Sequence, residues 1–438
     1  MKKAKKQSQK DIRKELIQKF SESVLEASQT YGVDPNFVTK TQFDEFSQLS
    51  EWDLRKIGGF ANVKKSVFPF EGEQDLASIS QLKKAKNYIA KLERDLGDKQ
   101  TLENQINKSI IGNIKPVKVF PYRKKKTKIK VKKDIVAMLN DLHIGLKVDP
   151  KEVDGLNSFN FTIASRRIAF FIDEVCNYKR DKRDQIGTLH LGLNGDLIAG
   201  IIHGLMSNDL ELLTHQVNGA VHILTNAVAR VCENYSNVKV YFSTGNHGDS
   251  PHRREGGRVS SQIYDSIEGQ IFYAISAAHK ETKNVEFLAG ASLSEDILLP
   301  AGRALMTHGH LMFSKQLGYP GTSVNTKLLG QAISDLNESE RRASRDEVKL
   351  VLLGHTHCHF DITAKNGVRV INAPSLSGID SYAFGIGIRQ NLTAQIIFES
   401  TEDYIVGDSR LVYVSEADGN KEMDNIIKPY NYELVYKK

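Results

Sequence analysis

The sequence predicts an α/β or layered-sheet architecture preceded by a helical, basic amino-terminal extension. From residue 134 onward, short apolar runs that read as strands alternate with helical stretches. Before that point the apolar positions recur at threes and fours, the period of a helix. Charge divides at the same place: residues 1–133 hold 30 Lys and Arg against 16 Asp and Glu, and the remainder holds 30 against 37.

In the extension, Ile12, Leu16, Ile17, Phe20, Val24 and Leu25 have the spacing of one amphipathic helix, which Gly32 can end. Thr41 with Asp44 and Ser50 with Asp53 read as helix starts, and Gly58-Gly59 breaks the helix that holds Trp52 and Leu54. Short helices punctuated by a Trp and a later Gly-Gly-Phe resemble the small helical repeats found beside some homing endonucleases. A helix-turn-helix module and a small bundle that packs on the rest of this chain or on another protein both suit this segment. Leu82, Ala85, Ile89, Leu92 and Leu96 continue the helical period until Gly97, as a linker or as one arm of a homo-oligomer. In YRKKKTKIKVKK at 122–133, Ile129 and Val131 alternate as a first edge strand would; the lysines then protect that edge or contact phosphate. The chain is thus expected to divide into a helical basic module at 1–70, a helical and basic linker at 71–133 and an α/β domain at 134–438 with a strand-rich end.

A basic front on an acidic body suits nucleic acid as the partner of residues 1–133, since Lys and Arg that neutralise phosphates release counterions; a solubilising surface is the other reading. No run of about 18 apolar residues occurs, and the start MKKAKKQSQK lacks the apolar stretch of a secretory signal, so no membrane and a cytoplasmic location are expected. Three cysteines, Cys176, Cys232 and Cys358, show no C-x-x-C spacing and argue against a disulfide scaffold or zinc ribbon. The chain has no G-x-x-x-x-G-K-[ST] loop, no G-x-S-x-G elbow and no H-E-x-x-H helix.

Five polar sets each follow an apolar strand. Asp141-Leu-His143 comes after IVAMLN, Asp196 after LHLGLNG, Asn246-His247 after VYFSTG, His308-Gly-His310 after ALMT, and His355-Thr-His357 after VLLG. The carboxyl end of a strand is where open α/β sheets build their sites. Imidazole and carboxylate without thiolate favour manganese, iron or zinc over calcium. Two such ions about 3.5 to 4 Å apart, sharing a carboxylate and a water or hydroxide, stabilise the attacking and leaving oxygens of a displacement at phosphorus.

The ordered set D-L-H, N-G-D, G-N-H, H-G-H and G-H-T-H resembles the signature of the calcineurin-like metallophosphoesterase superfamily over residues 134–375. The resemblance implies a layered β-sandwich flanked by helices, with two divalent metal ions and hydrolysis of phosphate esters. It implies that Asp141, His143 and His357 hold one metal, that Asp196 bridges, and that Asn246, His308 and His355 hold the other. His247 would stay off the metals as the catalytic residue that protonates the leaving oxygen or stabilises phosphoryl charge. Many members place an acid directly after the G-N-H histidine to orient it; here Gly248 intervenes before Asp249. His203, Arg253 and Arg254 are candidates for binding substrate, the arginines as bidentate phosphate donors or as part of a solvated loop. His215 and His222 read as packing or surface residues, and Cys358 as pointing to the core. With the basic front attached, the expected activity is that of a nuclease or other phosphodiesterase acting on DNA or RNA. A phosphomonoesterase, a small-molecule phosphodiesterase and a nucleic-acid-binding scaffold are the alternatives.

Overall fold

A computed structural model of the protein describes residues 9–68, 116–123, 133–200, 212–248, 266–290, 292–317, 324–389 and 392–430. The chain divides into two compact units, within residues 1–98 and 99–438.

The first unit is a helical bundle of α1 (Gln9–Tyr31), α2 (Lys40–Phe46), α3 (Glu51–Ile57) and α4 (Phe60–Val67). Ser50 and Asp53 form the expected capping box, in which each side chain accepts a backbone N–H of the other. The start of α2 lies at Thr39 rather than Thr41, because Gln42 closes the reciprocal bonds with Thr39. Gly58 ends α3 in the left-handed region at φ 114°, where a side chain would be strained. Phe20, Phe43, Leu54, Ile57 and Val63 form its core, with the Phe20 and Phe43 rings 4.9 Å apart. Residues 9–68 hold nine basic and nine acidic side chains, so the basic surplus lies before and after this bundle.

The second unit contains eleven strands among its described residues: β1 (Lys133–Leu139), β2 (Ile186–Asn194), β3 (Val238–Ser243), β4 (Val285–Leu288), β5 (Glu295–Leu299), β6 (Gly302–Met306), β7 (Val348–Leu353), β8 (Phe360–Thr363), β9 (Arg369–Asn372), β10 (Ala394–Thr401) and β11 (Ser409–Tyr413). They make a six-stranded sheet in the order β11-β10-β1-β2-β3-β4 and a five-stranded sheet in the order β5-β6-β7-β9-β8. Period-two alternation assigns each face. In β1, Ile135, Ala137 and Leu139 pack with α5 (Phe161–Asn177), α6 (Leu213–Cys232) and α7 (Ile267–Ala278), whereas Val136 and Met138 meet Met306, Leu350 and Leu352 between the sheets. On the far side, Val351 and Leu353 pack with Leu329 and Ile333 of α8 (Thr326–Arg342). The result is a helix, sheet, sheet, helix layering, as expected of the fold class.

Sequence reading omits β5 and β8, the two edge strands of the second sheet. Both are short and place acidic or exposed residues in alternation, so neither presents a continuous apolar run. The helical run from Leu82 to Leu96 and the strand at Ile129 and Val131 lie outside the described residues. The first described strand, β1, is interior to its sheet, paired with both β10 and β2. Within the segment read as linker, Val117 N–H donates to Ala278 O and Tyr122 N–H to Cys232 O, so 116–123 packs on the second unit. Among the described residues no helix is long and apolar enough to cross a membrane.

Candidate metal centre

The ends of β1, β2, β3, β6 and β7 converge, and the backbone there is forced into an uncommon shape. Eight described non-glycine residues have positive φ, and five of them are Asp141, His143, Asp196, His355 and His357. A left-handed conformation at a residue with a Cβ costs roughly 1–3 kcal/mol and persists only where surroundings impose it. The imposing bonds are visible: Asp141 N–H donates to Gly195 O, His143 N–H to Asp196 O and Ile144 N–H to Leu197 O, locking the first two loops together. His355 N–H donates to the Asp141 carboxylate at 3.2 Å, tying in the loop from the second sheet.

Asp141 and Asp196 are 0% and 1% exposed. Their oxygens face a ring of imidazoles. Asp196 Oδ2 lies 3.2 Å from His308 Nε2, 3.9 Å from His247 Nε2 and 4.0 Å from His143 Nε2. Asp141 Oδ1 lies 3.4 Å from His357 Nε2 and 3.9 Å from His308 Nε2. Three donor sets result, each with ligand atoms within 4.8 Å of one another: Asp141, His143 and His357; His143, Asp196 and His247; and Asp196, His308 and His355. The first and third are made of residues expected at the two metal sites, and Asp196, a member of the second and third, has its Oδ2 4.0 Å from His143 Nε2 of the first.

Bonds behind the ring fix how it points. His308 Nδ1 lies 2.9 Å from Asn194 O and His247 Nδ1 2.8 Å from Ala199 O, so each Nδ1–H donates to a carbonyl and each Nε2 faces Asp196. Geometry therefore lets His247 act as a ligand as well as a proton carrier, and only the resemblance holds it off the metals. Asn246 Oδ1 is buried without a hydrogen-bond partner. Two buried carboxylates, imidazole nitrogens aimed at one space and an orphaned amide oxygen together fit divalent cations. The buried carboxylates favour positive charge in this space. Burial disfavours the imidazolium of His308, yet the Asp196 carboxylate beside it pushes that group up to about 10. Burial also opposes ionisation of Asp196, but the charges of His308 and His247 hold it well below the usual carboxylate range. Burial and the His308 charge bring His355 down to about 4, leaving its nitrogen available to a cation.

Close packing is enforced by glycine. A Cβ on Gly245 would fall on Asp196 Oδ1, and one on Gly195, whose φ is +77°, would come 2.6 Å from His308 Nδ1. Gly245→Ala is expected to displace Asp196 and reduce divalent-metal affinity by at least about 10-fold, the lower end of outer-shell effects. Titration calorimetry with Mn²⁺ measures this; unchanged affinity would show that the loop yields without moving Asp196.

Several supporting residues escape sequence reading. Arg167 is 1% exposed. Its guanidinium donates to both Asp418 carboxylate oxygens at 2.7 Å and to Leu376 O at 2.9 Å and Ser377 O at 3.1 Å. In turn Leu376 N–H and Ser375 Oγ–H donate to Asp141 O, so Arg167 braces the loop that carries Asp141. Gln395 accepts from Asn140 N–H at 2.7 Å. Glu268 on α7 is fully buried and accepts from Leu197 and Gly245 N–H. Burial and the Asp196 charge push Glu268 up to about 8, against those two donors. Its sequence signal, an acid just after Ser266 at a helix start, reads only as helix capping.

His203, Arg253, Arg254 and Asp249 lie outside the described residues. His215 lies within α6, and His222 bonds Lys428 O at the surface, as expected. Cys358 is half-buried rather than a core residue, because the β7–β8 turn carries it at the edge of its sheet. Cys176 and Cys232 are buried, and burial pushes both thiols up to about 12, which keeps them protonated and inert.

The fold and site together define a layered α/β protein with buried, overlapping groups of His and Asp that can hold divalent cations. No family model matches the chain, and no curated protein matches it. Solved structures do. A conserved uncharacterised protein from Streptococcus pneumoniae, described as a predicted phosphoesterase, is 14% identical, with 64% of this chain and 97% of that one covered at a TM-score of 0.25. The sulfate thiohydrolase SoxB of Thermus thermophilus is 11% identical, covering 69% and 61%, with a TM-score of 0.33. A dimetal phosphatase from Danio rerio is 11% identical, covering 65% and 100%, with a TM-score of 0.29.

Proposed function

We propose that this chain is a metal-dependent phosphoesterase with two divalent cations, and that its substrate is the phosphodiester backbone of DNA or RNA. The observation that carries the reaction is the run of overlapping donor sets, two of which share the buried carboxylate of Asp196 while the third, Asp141, His143 and His357, joins them through His143. Asp141, His143 and His357 would hold one cation and Asn246, His308 and His355 the other, with manganese the first ion to test and iron or zinc next. Bound there, the cations supply Lewis acidity toward a phosphoryl oxygen and lower the pKa of water.

The residues of the chain do the rest. His247 Nδ1 is engaged by Ala199 O, so Nε2 is the atom from which the imidazolium passes its proton to the leaving ester oxygen. His247 N–H also donates to Asp196 Oδ1 at 2.8 Å, which fixes the acid relative to the shared carboxylate. Burial of both aspartates keeps water away from their charges and strengthens their hold on a cation.

The substrate reading rests on charge. From residue 104 to 133 the sequence has no Asp or Glu, and residues 108–133 contain eleven Lys and Arg. Such a stretch attracts a polyanion independently of base sequence. The balanced charge of 9–68 favours a second reading, in which the bundle binds protein and the site hydrolyses small phosphate esters.

With Mn²⁺ present, the protein is expected to cleave single- or double-stranded DNA or RNA, to lose that activity with EDTA, and to bind polynucleotide more weakly as salt rises. Assays on defined polynucleotides beside a chromogenic phosphomonoester and its diester check this. Turnover of the monoester alone, with no polynucleotide bound at low salt, would establish the second reading; metal-free, inactive protein that still binds DNA would make the chain a scaffold.

A further inference from the structure

We infer that Glu268 is a positioning residue of this site, supplying from a separate helix the carboxyl group that many members of the superfamily it resembles place directly after the residue corresponding to His247. The inference rests on the proposed metal centre and concerns how the chain holds it in shape.

Position 248 is glycine, yet the space a side chain would occupy there is filled. A Cβ built on Gly248 would lie 2.7 Å from the Glu268 carboxyl carbon and 3.1 Å from Glu268 Oε2, and would overlap Glu268 Cγ. The φ of Gly248 is outside the left-handed region, so its backbone does not require glycine; the occupying side chain does. Local bonds bring Glu268 to that place. Ile267 N–H donates to Gly248 O, the Ser266 and Thr244 hydroxyls are 3.1 Å apart, and Ser266 caps α7 by accepting Glu268 N–H.

The carboxylate then joins the two loops that carry the central residues. Glu268 Oε1 accepts from Leu197 N–H, directly after Asp196, and Oε2 accepts from Gly245 N–H at 2.8 Å, directly before Asn246 and His247. Asp196 itself bonds His247 N–H, so the three groups form a closed connection behind the metal ligands. The acid is separated from its usual position by twenty residues of sequence but by less than a side chain's length in space.

The test is a relocation. Glu268→Gln and Glu268→Ala are compared with the double variant Gly248→Glu/Glu268→Ala, in which a carboxyl carbon two bonds beyond Cβ returns to the vacated place. Two readouts are taken on the full-length protein: Mn²⁺ affinity by calorimetry, and amide hydrogen exchange of segments 195–198 and 244–248 without metal. Both single variants are expected to lower Mn²⁺ affinity by about 10- to 100-fold. They are also expected to speed exchange in those two segments, and the double variant to restore both readouts. Where phosphodiester turnover is measurable, the loss falls on kcat, with KM altered less. Single variants within twofold of wild type in affinity and exchange overturn the proposal, as does a folded double variant that restores neither. If wild-type protein binds no Mn²⁺ but exchange still responds and is rescued, the metal centre fails as a reading while the positioning role of Glu268 stands. Should Glu268→Ala not fold, Glu268→Gln keeps the shape and gives the same comparison, and recovery of folding in the double variant supports the relocation.

Discussion

Asp196→Asn is expected to reduce phosphoester turnover by more than about 100-fold, beyond the 10- to 100-fold typical of groups that only support ligands. The substitution keeps the shape of the side chain and removes the one charge placed within 4.0 Å of His308, His247 and His143 together. An amide in that position cannot serve two cations as an anion. Stability should fall as well when metal is absent, because His308 and His247 favour the Asp196 charge in the folded state and its removal leaves the buried His308 without that partner. Adding Mn²⁺ at about 100 times its dissociation constant stabilises a binding protein by about 2.7 kcal/mol per site. Calorimetric melting with and without Mn²⁺ should therefore show a large upward shift for wild type and a much smaller one for Asp196→Asn. His247→Ala serves as the contrast: it should keep most of the Mn²⁺ shift while turnover falls by about 10² to 10⁴-fold, the usual range for general acid catalysis. An Asp196→Asn protein with wild-type turnover would remove the shared carboxylate from the mechanism. Loss of the Mn²⁺ shift in His247→Ala would make that histidine a ligand.

Arg167→Met is expected to cost about 3–5 kcal/mol of stability, the range for breaking a buried ion pair from one side. The magnitude follows from what is left behind. Asp418 loses both of its guanidinium bonds, and the carbonyls of Leu376 and Ser377 lose a donor in a place that water does not reach. Asp418 is about one-third exposed, which holds the cost toward the lower end. Because the same loop holds Asp141, metal affinity should fall along with the melting temperature. Denaturant unfolding, with Mn²⁺ titration on the folded fraction, checks both. A loss below about 1 kcal/mol would mean that the loop finds other donors.

The parts of this molecule legible in its sequence are those whose determinants are local. The sandwich strands β1, β2, β3, β6 and β7 are predominantly apolar, and the proposed ligands sit within a few residues of each strand's end, so pattern and position suffice. Edge strands β5 and β8 lack that run because one face meets solvent, and their pairing is set by neighbours rather than by their own composition. Glu268, Gln395 and Arg167 were illegible for another reason. Each acts on residues tens to hundreds of positions away, and nothing in a Glu at a helix start or an Arg in an amphipathic helix says which distant loop it will meet. Thr39 displaced Thr41 as a cap because reciprocal bonding by Gln42, not hydroxyl identity, decides where α2 begins.

The proposed ligands come from both sheets of the sandwich: Asp141, His143, Asp196 and Asn246 follow strands of one, and His308, His355 and His357 follow strands of the other. Each proposed cation would therefore take donors from both halves, and the pair would act as two rivets through the layered core. Sliding one sheet past the other, which apolar packing alone resists only gradually, would require coordination bonds to break. The metal-loaded protein should accordingly resist mechanical shear and slow unfolding more than its equilibrium stabilisation implies, with the rivets concentrated at the carboxyl ends of the strands and the opposite edge free to fray first.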